Sequence, residues 1–174
     1  MDTTILYYIF GSILVAGLIG QYLLNPYRKA AKLSLQDMSH EELAHILAWS
    51  IEYLSAENGV KCPNFRVGKV DEPEYGIIGL SKEKDPCILG IYVGDLDLIV
   101  INEKFSDYGL TLLDLFGTIC HEFQHYLDKL SKGNNNQWIV TYTENLDFYE
   151  NRAEQFEKAK SKTLLKSYVK DQIS

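Results

Sequence analysis

Hydrophobic residues are continuous at the start of the chain and periodic further on. Residues 5–24 form an uncharged apolar stretch in which only Gln21 is strongly polar. Twenty helical residues rise about 30 Å, which is the thickness of the hydrocarbon core of a bilayer. Tyrosines stand near both ends of the stretch, where interfacial aromatic residues belong: Tyr7, Tyr8, Tyr22 and Tyr27. The pattern predicts a single transmembrane helix, and residues 1–27 are expected to form a membrane anchor.

The residues that flank this stretch predict its orientation. A cleaved signal peptide would begin with a basic segment, whereas residues 1–4 carry an acid and no basic side chain. Arg28, Lys29 and Lys32 follow the stretch, so the positive-inside rule predicts a C-terminal domain on the cytoplasmic side of the membrane. Small residues recur every four positions and would let two such helices associate as a homo-oligomer: Ser12, Ala16 and Gly20.

The residues after the anchor predict a connector and then an amphipathic helix. Residues 28–38 are expected to form a juxtamembrane connector. Ser39 and Glu42 have the spacing of a capping box, which marks the first turn of a helix. Apolar residues then recur every three or four positions until Asn58 and Gly59 end the helix.

Alternating apolar residues predict a small sheet in the middle of the chain. Four short strands are expected: 65–70, 75–80, 88–93 and 96–102. Gly94 and Asp95 between the last two strands indicate a tight hairpin. Helices are predicted at 111–132 and, after a polar break, from about 144 to 169. The order of elements predicts an α+β fold for a domain that spans residues 39–174.

Residues 111–132 carry a strong helical pattern. At about 100° per residue, apolar side chains cover one side of this helix: Leu112, Leu115, Phe116, Ile119, Phe123, Tyr126, Leu127 and Leu130. A narrow polar line on the opposite side holds Asp114, Gly117, Thr118, His121, His125 and Asp128. The apolar side would fix the helix against the sheet, and the small residues on the polar line leave room for a substrate.

The polar line contains the motif H-E-x-x-H at residues 121–125. His121 and His125 share one helix face and can hold one metal ion between their imidazoles. Glu122 stands beside them, where a carboxylate can act as general base on a water molecule. The motif arises by chance in roughly one chain of this size in a few hundred. Its place on the polar line of an amphipathic helix therefore favours a metal site over a solvated face.

An acidic line on the second helix offers a third ligand. A three-ligand zinc site with an open fourth position needs one carboxylate from such a helix. Glu150 is the favoured ligand, and Asp147 and Glu154 remain alternatives. Glu157 is expected to belong to a solvated stripe. Zinc is favoured over other metals by these ligand types.

The order of elements resembles that of the gluzincin metallopeptidases: a sheet, an H-E-x-x-H helix, a loop and a helix with E-x-x-A-E. The similarity is greatest to the compact ImmA/IrrE-like group and to membrane peptidases with an E-x-x-x-D second motif, and it covers roughly residues 88–158. The second motif reads ENRAEQF at residues 150–156. The resemblance implies a zincin-like small mixed sheet, with Glu150 as third zinc ligand and Glu154 as the carboxylate that orients a ligand histidine. The middle residues of the first motif are Phe-Gln where that group has Leu-Gly, and glutamate follows the second motif where alanine is usual.

Composition narrows the classes of partner. The chain has 174 residues and a net charge of -7, which suits one domain with its own core and argues against nucleic acid as a partner. Three scattered cysteines, Cys62, Cys87 and Cys120, fit reduced thiols better than a disulfide framework. Cys120 precedes the first histidine, but its helix angle takes it away from the polar line.

The expected function is that of a membrane-anchored zinc endopeptidase that cleaves proteins near the bilayer. Its partners would be a protein or peptide substrate and the lipid bilayer around residues 5–24. Tyr142 and Tyr149 are candidate donors for the developing oxyanion, and the strand at 88–93 or its neighbour could bind the substrate backbone. One alternative is a structural or assembly protein that keeps a zincin fold, for example in a virus particle or a secretion complex. Another is a regulatory sensor that cleaves one specific partner.

Overall fold

The structure is a computed structural model that describes residues 25–36, 38–72 and 88–173. The described chain has an α+β fold with five α-helices and a three-stranded mixed sheet. Its elements are, in order, α1 (Pro26–Ala31), α2 (His40–Asn58), β1 (Asn64–Gly68), β2 (Gly90–Val93), β3 (Leu98–Asn102), α3 (Leu112–Lys132), α4 (Asn135–Glu144) and α5 (Leu146–Ile173). The predicted membrane helix and the predicted strand at 75–80 lie outside the described residues. Within the described ranges, no helix is both long and apolar enough to cross a bilayer.

The sheet has β3 between its two neighbours. β1 runs parallel to β3 and β2 runs antiparallel to it, so that Ile99 pairs with Phe65 on one side and with Tyr92 on the other. The antiparallel pair confirms the predicted hairpin, whose turn is a 3-10 helix at Gly94–Leu96 followed by Asp97 in the left-handed region, with φ 46°. All five residues of β3 are buried. One face of this strand belongs to the main core below the helices, and the other packs in a smaller apolar cluster with β2.

Helix α3 begins with a reciprocal cap and lies at the centre of the molecule. The Thr111 hydroxyl accepts from the Asp114 amide, and the Asp114 carboxylate accepts from the Thr111 amide. The predicted apolar side is confirmed for Leu112, Leu115, Phe116, Ile119, Phe123 and Tyr126, which are all buried. Leu130, in the last turn, is exposed. The helix packs against the sheet and against α5. Its polar line therefore lies next to these two elements.

The segment expected to be a connector pairs with the residues around the start of α3. The Leu35 amide donates to the carbonyl of Leu110 at 3.1 Å, and the Leu112 amide donates to the carbonyl of Leu33 at 3.0 Å. The Leu35 side chain is fully buried, and α1 packs against α3 and α5. Residues 26–36 are therefore part of the folded body.

A short helix that the sequence did not predict, α4, precedes the helix predicted from about residue 144 to residue 169, which is α5. The Asn134 side chain caps α4 by accepting from the Gln137 amide at 2.8 Å, and the helix ends at Glu144 with Asn145 as its C-cap. Helix α5 then runs antiparallel to α3, because its first turns lie beside the middle of α3 and Tyr168 near its end contacts Phe116 near the start of α3. This arrangement brings the acidic line of α5 to the H-E-x-x-H motif.

Candidate metal centre

The two histidines of the motif face one point from the middle of α3. They are one helical turn apart, their ring centroids are 4.9 Å apart, and the rings are inclined at 76°. The side chain of His125 is 7% exposed and that of His121 is 20% exposed. Both rings are thus largely shielded from solvent.

Glu150 of α5 contacts both imidazoles. Its Oε2 lies 3.3 Å from Nε2 of His121, and its Oε1 lies 3.4 Å from Nε2 of His125. The three candidate ligand atoms all lie within 4.8 Å of one another. Ligands held about 2.0–2.1 Å from a tetrahedral zinc ion are about 3.3–3.4 Å apart, which matches the two distances between Glu150 and the histidines. Two imidazoles and one carboxylate are also ligand types that zinc takes. Among the residues that the structure describes, no other group of three histidine, cysteine or acidic side chains is spaced in this way.

Charge is distributed unequally over this cluster. Burial lowers the pKa of His125 to about 4, so its ring is neutral at neutral pH. Burial also opposes the charge of His121, but a hydrogen bond to Glu150 and the charges of Glu122, Glu150 and Glu157 raise its pKa to about 9. The hydrogen bond from His121 lowers the pKa of Glu150 to about 2 against the opposing effect of burial. A divalent cation would take the place of the proton that His121 and Glu150 share.

Glu122 lies between the histidines and the sheet. It is 8% exposed. Burial raises its pKa to about 7, although the neighbouring charge of His121 and a hydrogen bond from the Tyr92 backbone act in the opposite direction. Gly90 allows β2 to come this close, since a Cβ there would lie 2.8 Å from Cγ2 of Thr118 and 3.2 Å from Cγ of Glu122. A carboxyl group with this pKa can both accept and return a proton near neutral pH.

Strand β2 presents backbone groups beside Glu122. The Asn102 amide donates to the Leu89 carbonyl at 2.9 Å, which fixes the alternation of hydrogen bonds along the antiparallel pair. By that alternation, the amide and carbonyl groups of Gly90 and Tyr92 point away from β3. The Tyr92 amide already donates to Glu122. An extended peptide laid along this side of β2 could therefore pair with Gly90 and with the Tyr92 carbonyl.

Glu157, not Glu154, approaches the second nitrogen of His121. Its Oε2 lies 3.6 Å from Nδ1 of that ring. Seven residues are close to two helical turns, so Glu157 follows Glu150 on the side of α5 that faces α3. Glu154 lies at an angle to this line and pairs with Lys158 at 2.9 Å across exposed surface. The resemblance implied Glu154 for this position, whereas the structure brings Glu157 there, with its side chain still 40% exposed.

Tyr142 of α4 closes the site on the side of His125. Its hydroxyl donates to Oε1 of Glu150, and its ring lies 5.5 Å from that of His125 at a nearly perpendicular angle. The sequence named Tyr142 and Tyr149 as candidate donors. Tyr149 is 2% exposed and packs against the rings of Trp138 and Tyr142. Of the two hydroxyls, that of Tyr142 is the one that contacts a candidate ligand.

Trp138 is a residue of this site that sequence reasoning missed. It is buried, and its ring lies 6.5 Å from His125 and 5.0 Å from Tyr142. Gly94 lets the indole pack on the β2–β3 turn, since a Cβ there would be 2.9 Å from Cδ1 of Trp138. Two signals in the sequence could have revealed α4. Trp138 and Tyr142 are one helical turn apart, and they follow shortly after Asn134, a potential N-cap.

A buried carboxylate supports the last turn of the site helix. Asp128 is 1% exposed and accepts from Gln124 at 2.9 Å and from Arg152 of α5 at 3.0 Å, both through Oδ1. Its Oδ2 and Nδ1 of His125 are buried atoms without a hydrogen-bond partner in the described structure. The Arg152 contact ties α5 to α3 one turn beyond the histidines and so helps to hold Glu150 opposite them.

Other candidates lie apart from the cluster. Asp147 is exposed at the start of α5 and does not join the three ligand atoms. Cys120 is fully buried, and burial raises the pKa of its thiol to about 12. A thiol with this pKa stays protonated and is a poor ligand. The structure therefore brings together His121, Glu122, His125, Glu150 and Tyr142 from the sequence prediction and adds Glu157 and Trp138.

Comparison of the chain with protein-family models, with curated proteins and with solved structures finds no match. A function for this chain must therefore be inferred from the geometry of the site.

Proposed function

We propose that the protein is a zinc-dependent endopeptidase of the gluzincin type. The observation that carries the proposal is the convergence of His121, His125 and Glu150, whose ligand atoms lie within 4.8 Å of one another. The two distances from Glu150 to the histidines, 3.3 and 3.4 Å, match the separation of ligands around tetrahedral zinc. Two imidazoles and one carboxylate leave a fourth position open, as catalytic zinc sites require. The α+β arrangement of a small mixed sheet on the motif helix, with a second ligand helix beside it, supports a zincin-like fold.

Each side chain of the site has a distinct role in this proposal. Bound Zn²⁺ supplies Lewis acidity, which polarises a peptide carbonyl and lowers the pKa of water. Glu122, with its pKa raised by burial to about 7, takes a proton from the attacking water and passes it to the leaving amine. Glu157, whose Oε2 lies 3.6 Å from Nδ1 of His121, is the carboxylate that orients that ring in this proposal.

The substrate is an extended stretch of polypeptide. The outward amide and carbonyl of Gly90 and the outward carbonyl of Tyr92 support binding of a strand beside β2, next to Glu122. The Tyr142 hydroxyl, already at the ligand cluster, is the donor best situated to meet charge that develops on the carbonyl oxygen. Residues 5–24 are proposed to anchor the domain in a membrane with residues 25–174 on the cytoplasmic side. Anchoring would confine substrates to proteins near the bilayer and raise their effective concentration.

The test uses the full chain in detergent or in membranes, with Glu122→Gln as the inactive variant. N-terminal proteomics of membranes that hold either form should reveal new protein termini with the wild type alone. Removal of one general base should lower the cleavage rate about 10²–10⁴-fold and leave the zinc content unchanged. A wild type that binds zinc but yields the same termini as Glu122→Gln would overturn the peptidase and favour an assembly protein that keeps the fold.

A further inference from the structure

The C-terminal half of α5 has the opposite charge from the site. Residues 158–170 contain five lysines and no acidic residue, in a chain whose net charge is -7. Lys158 and Lys160 are paired with Glu154 and Glu57. Lys162 and Lys166 are exposed, and neither makes an ion pair in the described part of the chain. Together with Lys170 they follow at intervals of four, so the three lie on one side of the helix.

Helix α1 adds basic residues next to this stripe. It packs against α5. Tyr27, Ala30 and Ala31 contact the main core, which includes the buried residues in the last turns of α5. Lys29 and Lys32 point to solvent and make no ion pair with any described residue. We call the exposed surface formed by Lys29 and Lys32 of α1 with Lys162, Lys166 and Lys170 of α5 the lysine face.

The position of the lysine face relative to the apolar stretch is fixed by the chain. The stretch ends at residue 24, and α1 begins at Pro26. Because α1 is packed into the folded body and the preceding link is so short, a bilayer that holds residues 5–24 must lie close to α1. If residues 5–24 are anchored, the surface that α1 shares with α5 would lie near the lipid headgroups.

We propose that the lysine face binds the anionic headgroups of the bilayer in which residues 5–24 are anchored. Lysines near an anionic surface are attracted to it over about one Debye length. The contact would hold the domain in one orientation, with the acidic N-terminal half of α5 and the site directed away from the repelling surface. The inference rests on the membrane anchor in the proposed function and is independent of the zinc chemistry.

The test measures acylation of lysines by an amine-reactive reagent in the full chain, reconstituted in nanodiscs. Discs of phosphatidylcholine alone are compared with discs that also contain phosphatidylglycerol. A surface potential of about -30 to -50 mV lowers the local hydroxide concentration, and hence the labelling of lysines at the surface, about three- to seven-fold. Lys162 and Lys166 should show this protection, and high salt should remove it. Lys61, exposed beside Tyr126 toward the other end of α3, is the internal control and should label equally in both discs.

A charge variant provides a second readout. Anionic discs should raise the unfolding temperature of the wild-type domain, and this rise should be lost in Lys162→Gln/Lys166→Gln but kept in Lys61→Gln. Equal labelling of Lys162 and Lys166 in the two kinds of disc would overturn the proposal and leave these lysines as a solvated helix face. Failure of the full chain to float with vesicles would instead disprove the anchor, and with it the lysine-face contact, while the zinc site could still be tested.

Discussion

Glu157 lies beside Gly117, where a side chain would crowd its carboxylate. A Cβ at that position would be 3.0 Å from Oε1 and 3.4 Å from Cγ of Glu157. The other carboxylate oxygen is 3.6 Å from Nδ1 of His121. The glycine on α3 and the glutamate on α5 thus bring a carboxylate to the back of the first histidine.

Replacement of Glu157 should weaken zinc binding without removing a ligand. Glu157→Gln is expected to lower zinc affinity about 10–100-fold, the usual effect of losing a carboxylate that orients a ligand histidine. Gly117→Ala should lower it in the same direction, because the added methyl group pushes the carboxylate away from the ring. Zinc affinity is measured by competition with a chromophoric chelator.

The matched control for this prediction is Glu154→Gln. It removes the same charge from the same helix, but Glu154 contacts Lys158 and not a histidine. Its zinc affinity should stay close to that of the wild type. If Glu154→Gln weakened zinc binding more than Glu157→Gln, the carboxylate implied by the resemblance would be the functional one after all.

Gly90 should be intolerant of a side chain. In Gly90→Ala the new methyl group would meet Thr118 at 2.8 Å and Glu122 at 3.2 Å, which forces β2 away from α3. We expect the free energy of unfolding to fall by about 1–3 kcal/mol and peptide cleavage to fall as well, because the strand and the general base would no longer be aligned. Denaturant unfolding and a cleavage assay measure the two effects.

Gly68 in β1 offers the control for the strand substitution. A Cβ there meets only the flexible Arg66 side chain, at 3.7 Å. Gly68→Ala should therefore change unfolding and cleavage much less than Gly90→Ala. Equal effects of the two substitutions would mean that loss of glycine in the sheet, and not the approach of β2 to Glu122, explains the change.

Zinc binding should release protons at neutral pH. Burial opposes the charge on His121, yet the hydrogen bond to Glu150 and the surrounding carboxylates raise the pKa of that ring to about 9. The ring is therefore protonated below pH 9 and must lose its proton to bind zinc. Between about pH 6.5 and 8.5 the apparent affinity should rise with pH, up to about tenfold per unit. His125, with its pKa lowered to about 4, adds no proton in this range.

Calorimetry in buffers of different ionisation enthalpy counts these protons directly. We expect close to one proton released per zinc at pH 7 and a smaller number as the pH approaches 9. Release that stays near zero throughout would show that His121 is neutral before zinc binds. Its ion pair with Glu150 would then not exist in solution.

The sequence predicted the motif helix and the hairpin because their patterns are regular. Residues 111–132 were expected to be helical, and α3 spans Leu112–Lys132. The apolar side and the polar line of that helix follow from its period alone, and Gly94 with Asp95 marked the turn between β2 and β3. The local pattern of apolar residues was sufficient to predict these elements because each of them buries one face in the core.

The second half of the site depended on packing that the sequence does not display. Helix α4 has three asparagines at or next to its start and few apolar residues, so its period is weak, although Trp138 holds it to the β2–β3 turn. Glu157 looked like one more residue of an exposed acidic line, because its partner, His121, is 36 positions earlier and its space is created by a glycine on another helix. Neither the contact of Trp138 with the turn nor that of Glu157 with His121 can be predicted from a periodic pattern in the sequence.

The zinc content of the purified full chain tests the central claim most directly. Elemental analysis after dialysis should find one zinc per chain in the wild type and in Glu122→Gln, and a large loss in Glu150→Ala. Asp147→Ala, on the same helix but outside the cluster, should keep its zinc. A wild type without stoichiometric zinc, or a Glu150→Ala variant that binds zinc as tightly as the wild type, would contradict the three-ligand site.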